Sequence, residues 1–398
     1  MKKVLDDIRV LDFGRFIACP YCGMILGDMG AEVIRIERPG GEEDRTTGIL
    51  GENGENMGFQ SYARNKKAIT LSLMNNEEGR KVFSDLVRVS DVVIHNFSPY
   101  AAKLMGLEYE KLKAIKKDII LSAVSCYGSD GPYSQRIGFD PIAQTMSGAM
   151  SIGGYPDKDP LRSHLPWVDY STALANTVGT LLALRHRDDT GEGQKVDLAL
   201  LGTAVSFMAP FIAEVEVIGQ KRPLIGNRGA YMGPSSLFRC KDGFVYISTI
   251  MNSLWARLLK VIGHEELLED KELYNDFQRF EHREKIDPLI HEWTAERTVD
   301  EVIIKMEESR IPCGRYQEVD EVSKDPHIQA RKMIEYTDLE HPGLEKVPVC
   351  ATPFKLSKTP GTVEKRAPRV GEHNKEIYQD LLKYSDERMT ELKKQDVI

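Results

Sequence analysis

Residues 8–37 read IRVLDFGRFIACPYCGMILGDMGAEVIRIE, and this stretch predicts the fold of the N-terminal half of the chain. Two runs with the composition of buried strands, Ile8–Phe13 and Ala31–Glu37, flank a helical pattern from Pro20 to Gly30. This order is typical of a β-α-β unit. The pattern recurs downstream, with strands at 68–73, 91–96 and 119–125 and helices at 77–87 and 111–115. A parallel sheet covered by helices is therefore expected.

Length and composition limit the classes of protein that this chain can belong to. Its 398 residues exceed one small core, and 41% hydrophobic with 29% charged residues is ordinary for a globular protein. A net charge of −8 without a basic cluster argues against a nucleic-acid partner. The first ten residues lack the apolar core of a secretory signal, and the apolar run Leu198–Ala213, which contains Pro210, is shorter than a membrane span. We expect a cytoplasmic protein without a membrane partner, in which that run forms a buried helix.

The composition of the chain changes near Gly219, where glycine, proline and basic residues become frequent. A hairpin pattern over 236–249 and amphipathic helices over 255–308 follow this change. We predict three parts: a large α/β domain over residues 1–218, a smaller α+β domain over 219–325, and a C-terminal segment over 326–398.

Several motifs suggest other chemistries. Cys19 and Cys22 form a C-x-x-C at a strand-to-helix turn, as in thiol oxidoreductases, although such proteins are small single domains. Glu37 ends the second strand, where a dinucleotide-binding acid would stand, but the preceding turn lacks G-x-G-x-x-G. Arg38 suits a phosphate, or an ion pair with the acidic residues at 42–44. The nine histidines show no metal-binding spacing, so no metal site is expected.

The segment Leu165–Arg187, LPWVDYSTALANTVGTLLALRHR, carries a single carboxylate, Asp169, at the head of a helical pattern. This residue has two interpretations: an N-cap, which is the commoner case, or a catalytic carboxylate held at a helix N-terminus. The helix is expected to be largely buried, because its apolar side chains recur at helical spacing: Leu174, Val178, Leu181 and Leu182.

Seven further motifs follow one another along residues 5–378: VLDF from residue 10, GAEVIRIERPG from 30, NKKAITL from 65, DVVIHNFSP from 91, GFDPIAQTMSG from 138, DYSTA from 169 and RAPRVGEHN from 366. With them the chain resembles the family III CoA-transferases, which include formyl-CoA, crotonobetainyl-CoA and bile-acid CoA-transferases. The resemblance implies an α/β fold with a parallel-sheet, Rossmann-like large domain to which residues 326–398 return, a smaller α+β domain, and an interlocked homodimer.

The resemblance also assigns residues to roles. Asp169 is the expected catalytic nucleophile. Many members of the family carry an arginine where this chain has Leu104, so either Lys103 supplies the charge or the nucleotide phosphates rely on other groups. The nearest match to the family's glycine-rich active-site loop contains Gly226, Gly229 and Gly233. The expected CoA-binding positions are Ile17, Ala18, Arg38, Leu71, Ser72, Leu73, Met74, Asn96, Phe97, Lys103, Leu104, Arg136, Ile137, Gly138, Phe139 and Asp140.

The activity that the resemblance implies is transfer of CoA from an acyl-CoA thioester to an acceptor carboxylic acid, through an aspartyl anhydride and an aspartyl-CoA thioester. No permanently bound cofactor is expected; acyl-CoA and a carboxylic acid are the substrates. Two further alternatives remain besides the oxidoreductase. A 2-methylacyl-CoA racemase would need a histidine where Phe139 stands, and a non-catalytic CoA-binding protein would not need Asp169. The identity of the two acids stays open.

Overall fold

A parallel six-stranded sheet forms the centre of the computed structural model, which describes residues 2–51, 54–74, 76–338 and 346–398. The strands stand in the order β3-β2-β1-β4-β5-β6, and every adjacent pair is parallel. The strand order reverses between β1 and β4, the position at which open α/β sheets bind ligands. The strands are β1 Arg9–Asp12, β2 Glu32–Glu37, β3 Lys66–Thr70, β4 Val92–His95, β5 Ile120–Ser125 and β6 Lys195–Ala199.

Helices bury the apolar side chains of this sheet. α1 is buried along almost its whole length, while α3 buries one amphipathic face that includes Val82, Phe83 and Leu86. The C-terminal segment returns to this core, because Ile377 and Leu392 pack with the strand residues. The first eight helices are α1 Ala18–Asp28, α2 Met57–Ala63, α3 Glu77–Arg88, α4 Pro99–Met105, α5 Tyr109–Ile115, α6 Asp140–Met146, α7 Trp167–Thr190 and α8 Leu200–Ala213.

Packing divides the chain into two compact units. The first contains Met1–Gly148, Ser163–Ala209 and Pro326–Ile398; the second contains Ala149–Arg162 and Pro210–Asp325. A three-stranded antiparallel sheet, in the order β7-β8-β9, forms a separate core with the helices of the second unit. The remaining elements are β7 Ser235–Arg239, β8 Phe244–Ser248, α9 Asn252–Ile262, α10 Asp276–Glu281, α11 Arg283–Ala295, α12 Val299–Glu308, β9 Cys313–Arg315, α13 Val319–Val322, α14 Pro326–Ala330, β10 Ile334–Thr337, β11 Val347–Cys350 and α15 Asp386–Lys394.

The predicted α/β class and parallel sheet are confirmed. Each strand predicted in residues 8–125 is present within about two residues of its expected ends, except that β3 begins at Lys66 and ends at Thr70. The hairpin predicted over 236–249 is the β7–β8 pair.

The prediction that the apolar side chains of α7 are buried is wrong. Val178 is 56% exposed and Leu182 65%, and Leu174 and Leu181 are about 40% exposed. The buried face instead carries small and polar residues such as Thr172 and Thr180. Small residues let α7 lie very close to the sheet: a Cβ at Gly179 would stand 2.7 Å from Val196 Cγ1. Helical spacing identified an apolar face but not the direction in which that face points.

The helix predicted at Leu198–Ala213 is present as α8, Leu200–Ala213, but the prediction that it is buried is wrong. In α8 only Leu200, Ala204 and Met208 are buried, and Phe207 is 55% exposed. A π-helical turn continues the helix, so that Leu200–Ile218 is long and apolar enough to cross a membrane by length and composition alone. One such helix is weak evidence for a membrane span. Both α7 and α8 thus have an apolar face that the described parts of the chain leave exposed.

Candidate active site

The turn between β1 and α1 lies at the point where the strand order reverses, and buried charges fix its shape. Lys66 Nζ donates to Asp12 Oδ2 and to the Pro20 carbonyl, both at 2.7 Å, while Asp12 Oδ1 accepts from the Gly14 amide at 2.7 Å. A Cβ at Gly14 would stand 2.7 Å from Cys19 Cβ, so only glycine fits there. These buried hydrogen bonds of Lys66 and Asp12 therefore hold the turn rigidly.

Two predicted CoA-binding positions follow β4 and are joined to this turn. The Asn96 amide group donates to the Arg15 carbonyl at 2.7 Å and accepts from the Arg15 amide at 2.8 Å. The Arg15 guanidinium lies 4.9 Å from the centre of the Phe97 ring and pairs with Glu42 at 2.8 Å. Asn96 and Phe97 thus contact Arg15 across the crevice between β1 and β4.

Three helices begin near one another at this edge of the sheet: α1, α6 and α7. Ala18, Ala143 and Val168 come from these three helices and belong to one buried cluster. No side chain in the described parts of the chain caps the first turn of α1. The leading amides of a helix have no intrahelical partner either, so these amides lack both kinds of partner. Helix N-termini carry partial positive charge, so the three together favour an anionic group among them.

Asp169 lies in the first turn of α7, beside this group of helix ends. Its side chain makes no hydrogen bond or ion pair with any residue in the described parts of the chain. Burial, and then the neighbouring Asp140 carboxylate, raise the pKa of Asp169 from 3.8 to about 7. A partly buried carboxylate without a counter-ion and with a raised pKa is typical of a functional site.

The N-cap interpretation of Asp169 is wrong, because the helix begins two residues earlier and a different carboxylate caps it. Pro166 is the N-cap residue and makes no side-chain cap bond. Asp140 Oδ2, from the first turn of α6, accepts from the amides of Val168 at 2.9 Å and Asp169 at 3.2 Å. Gln144 Nε2 donates to Asp140 Oδ1. Asp140 therefore does for α7 what an N-cap normally does.

Cys19 and Cys22 do not form a reactive thiol pair. Both side chains are fully buried in α1 and are free thiols. Burial raises the pKa of Cys22 to about 12 and that of Cys19 well above its ordinary value. A redox-active cysteine needs the opposite shift, toward a stable thiolate. The structure therefore contradicts the oxidoreductase alternative.

The segment before α6 comes close to the turn after β1. The Phe139 ring packs edge-on against Phe16 with centroids 6.0 Å apart. A Cβ at Gly138 would overlap the Cys126 sulfur, so the segment passes closely by the residue that follows β5. Ile137 is 80% exposed, and Arg136 lies over the Tyr133 ring at 3.8 Å.

The predicted CoA-binding positions after β2 and β3 differ in what they can offer a ligand. The Arg38 side chain is half exposed and pairs with Glu43 at 2.9 Å, so the ion-pair interpretation is present in the structure. Leu71 and Leu73 point into the core. Contact with a ligand at 71–74 would therefore come from the backbone, Ser72 and the exposed Met74.

Two basic residues lie near Leu104, the position at which many members of the family carry an arginine. Lys103 and Phe97 line a cavity of about 620 Å³ beside α4. Arg80 of α3 donates from its guanidinium to the Leu104 carbonyl at 3.2 Å. Neither Arg80 nor Arg15 is apparent from the sequence, because Arg80 is 24 residues from Leu104 and the turn that contains Arg15 carries no glycine-rich motif. Positive charge near Leu104 thus comes from Lys103 of the same helix and from Arg80 of α3.

The glycine-rich loop belongs to the second unit of the chain. Gly226 has a φ of +66°, and its amide donates to the Gly154 carbonyl at 2.8 Å. A Cβ there would stand 2.4 Å from the Tyr155 ring, so the position requires glycine. The Gly229 amide donates to the Ser235 carbonyl at 2.8 Å, and Gly233 ends the loop. A role for this loop over Asp169 stays a prediction.

Among residues 2–51, 54–74, 76–338 and 346–398, no group of three or more His, Cys, Asp or Glu side chains could hold a metal ion.

Comparison with known proteins gives one consistent result. The profile of CoA-transferase family III matches residues 5–374. Succinyl-CoA–D-citramalate CoA-transferase of Chloroflexus aurantiacus is 35% identical over 398 residues, covering 100% of this chain and 98% of its own. Human succinyl-CoA:glutarate CoA-transferase is 30% identical, covering 98% and 89%. A CAIB/BAIF family protein from Brucella suis superposes with a TM-score of 0.84 at 30% identity, covering 96% of this chain and 100% of its own.

Proposed function

The chain belongs to CoA-transferase family III, and from that premise we propose that Asp169 is the nucleophile that moves CoA from an acyl-CoA to an acceptor carboxylic acid. The observation that carries this proposal is the state of its carboxylate, which is partly buried, has no counter-ion among the described residues and has a pKa raised to about 7. An ionised carboxylate that is poorly solvated and unpaired is activated for attack on a carbonyl.

The reaction runs in two matched halves. An Asp169 oxygen attacks the thioester carbonyl of the acyl donor, and the CoA thiolate leaves, which gives an aspartyl–acyl anhydride. The thiolate attacks the aspartyl carbonyl, so the donor acid leaves as a carboxylate and an aspartyl-CoA thioester remains. The acceptor carboxylate attacks this thioester, and the released thiolate then attacks the acceptor's carbonyl. The new acyl-CoA leaves and Asp169 is regenerated as a carboxylate.

The uncapped amides at the head of α1, at Ala18 and Cys19, are the groups that we assign to stabilising the oxyanion that develops in each attack. Asp140 holds the first turn of α7 by accepting from the amides of Val168 and Asp169, and so fixes the direction of the nucleophile. No step needs a metal or a redox cofactor. Water must be excluded, because an anhydride hydrolyses readily, and we assign that task to the glycine-rich loop.

The CoA nucleotide would bind where basic side chains surround the β1–β4 crevice. Arg38 would exchange its exposed ion pair with Glu43 for a phosphate. Near Leu104, Arg80 and Lys103 would supply the charge that an arginine provides in many relatives. We propose succinyl-CoA as the donor and a small dicarboxylic acid as the acceptor, because the curated relatives are named for succinyl-CoA with citramalate or glutarate.

We propose that the active form is an interlocked cytoplasmic homodimer. The support is the apolar stripe that α7 leaves exposed, with Leu174, Val178, Leu181 and Leu182, and the exposed Phe207 of α8. Contiguous apolar surface of this kind usually marks an interface, and a second copy of the chain would cover it.

The test is to incubate the enzyme with succinyl-CoA and each of D-citramalate, glutarate, mesaconate and L-malate, and to follow the CoA esters by mass spectrometry. Hydroxylamine should convert the aspartyl-CoA intermediate into a hydroxamate on the peptide that contains Asp169. Asp169→Ala should abolish both signals, and Asp188→Ala, an exposed position on the same helix, should retain them. Transfer by Asp169→Ala at more than about a thousandth of the wild-type rate would disprove the nucleophile.

A racemase would be revealed by deuterium entering C2 of a 2-methylacyl-CoA in heavy water. We expect none, because Phe139 stands where a racemase needs a proton-exchanging histidine, and a phenyl ring has no such proton.

A further inference from the structure

The glycine-rich loop is fastened at several points to one short helix and the start of the next. At its exit, the Gly233 carbonyl accepts from Arg279 Nε at 2.8 Å. Arg279 is fully buried, and its other guanidinium nitrogens donate to the Leu273 carbonyl at 2.9 Å, to Asn252 Oδ1 at 3.0 Å and to Asp276 Oδ1 at 2.7 Å. A planar guanidinium that donates to four groups in this way is a rigid anchor.

The middle of the loop is held by aromatic rings. Tyr231 stacks on Phe277 with ring centroids 5.6 Å apart and an interplanar angle of 18°, and meets Phe280 edge-on at 5.0 Å. The backbone of Tyr231 has a φ of +57°, which is unfavourable for a residue with a side chain. The ring contacts help to hold Tyr231 in this conformation against that cost.

A third fastening involves charge. Arg228, in the first half of the loop, forms an ion pair with Asp287 of α11, and Asp287 is buried. Gly226 marks the entry of the loop through its bond to the Gly154 carbonyl. Residues 227–232 thus lie between two fixed ends and are held in between by side chains from α10 and α11.

We propose that α10 is the positioning element of the glycine-rich loop, with Arg279 fixing its exit at Gly233 and Phe277 holding Tyr231 in the observed conformation. Loss of the Phe277 ring removes one of the contacts that hold residues 227–232, so the loop opens more often while its anchored ends stay in place. The task of the loop, excluding water from the acyl intermediates, rests on the proposed function; its fastening to α10 does not.

The experiment is limited proteolysis with trypsin, because Arg228 is itself a tryptic site and is partly exposed. Phe277→Ala should leave the fold intact, because the Phe277 side chain is half exposed. The matched control is Tyr274→Ala, which removes a more exposed ring from the adjacent turn. Cleavage of the Arg228–Gly229 bond, followed by mass spectrometry, reports the population of the open loop.

We expect cleavage in Phe277→Ala to be about three to ten times faster than in the wild type, from the loss of one ring pair, and cleavage in Tyr274→Ala to be unchanged. Equal cleavage rates in wild type and Phe277→Ala would overturn the proposal. In the same samples, the ratio of succinyl-CoA hydrolysis to transfer should rise with loop opening in Phe277→Ala. An absence of transfer in every sample would count against the proposed function and leave the cleavage comparison intact.

Discussion

Replacing Asp140 with asparagine separates the two effects that this carboxylate has on Asp169. The change keeps the size of the side chain but removes a negative charge, which is the second cause of the raised pKa of Asp169. Asparagine also has a single acceptor oxygen, so its side chain places an NH₂ against either Gln144 Nε2 or the α7 amides, all of which are donors. We therefore expect a lower pKa at Asp169 together with a weaker cap on α7.

The magnitudes follow from the structure. With a pKa of about 7, about a tenth of Asp169 is ionised at pH 6. A lower pKa raises that fraction, so the ratio of kcat/KM at pH 6 to that at pH 8 must increase. The cap bonds at 2.9 and 3.2 Å are worth about 1–2 kcal/mol in the free energy of unfolding. A loss of that size lowers Tm by about 1–2 °C in a chain of this length.

The assay is a pH profile of kcat/KM for succinyl-CoA, with thermal unfolding measured on the same samples. Gln144→Met is the control, because it breaks the bond to Asp140 without changing charge: its Tm should fall while the pH midpoint stays near that of the wild type. A midpoint in Asp140→Asn that is unchanged or higher would refute the electrostatic part of this reasoning, whatever happens to Tm.

Three further outcomes are expected. In the wild type, the free energy of unfolding should fall as the pH rises from about 4 to 7, because the Asp169 carboxyl has a raised pKa in the folded state and ionises there. Asp169→Asn should remove up to about 4 kcal/mol of that fall, as measured by urea unfolding at several pH values. Parallel curves of unfolding free energy against pH for the two proteins would contradict the burial of this charge. Arg80→Gln should raise KM for succinyl-CoA about tenfold with little change in kcat, and an unchanged KM would remove Arg80 from the CoA site. Leu182→Glu should shift the protein toward monomers in sedimentation experiments, and an intact dimer would show that this face is covered in some other way.

The sequence was sufficient for the parts of the molecule that local patterns determine. Alternating apolar runs located β1, β2, β4 and β5 within about two residues, and the lone carboxylate in a run of uncharged residues drew attention to Asp169. These signals are contained in a few consecutive residues, so no tertiary information is needed to read them.

What the sequence could not predict depends on residues far apart in the chain. Asp140 and the amide that it holds are 29 positions apart, and Arg80 reaches a carbonyl 24 positions away. The inverted burial of α7 has another cause. Periodicity shows that Leu182 and its neighbours share a face, but Gly179 and the threonines decide which face approaches the sheet, through backbone distance rather than hydrophobicity.

The cap on α7 has a consequence for how this catalyst can be assembled and altered. A helix that depends on its own N-cap can be transplanted or separated from its neighbours with its first turn intact. The first turn of α7 depends on Asp140 from another helix, so Asp169 acquires its direction only after α6 has docked. A chain in which α6 has not docked lacks this cap, and the proposed nucleophile is then an ordinary solvated carboxylate. On the proposed mechanism, the carboxylate thus becomes reactive only when the surroundings that restrain it are complete.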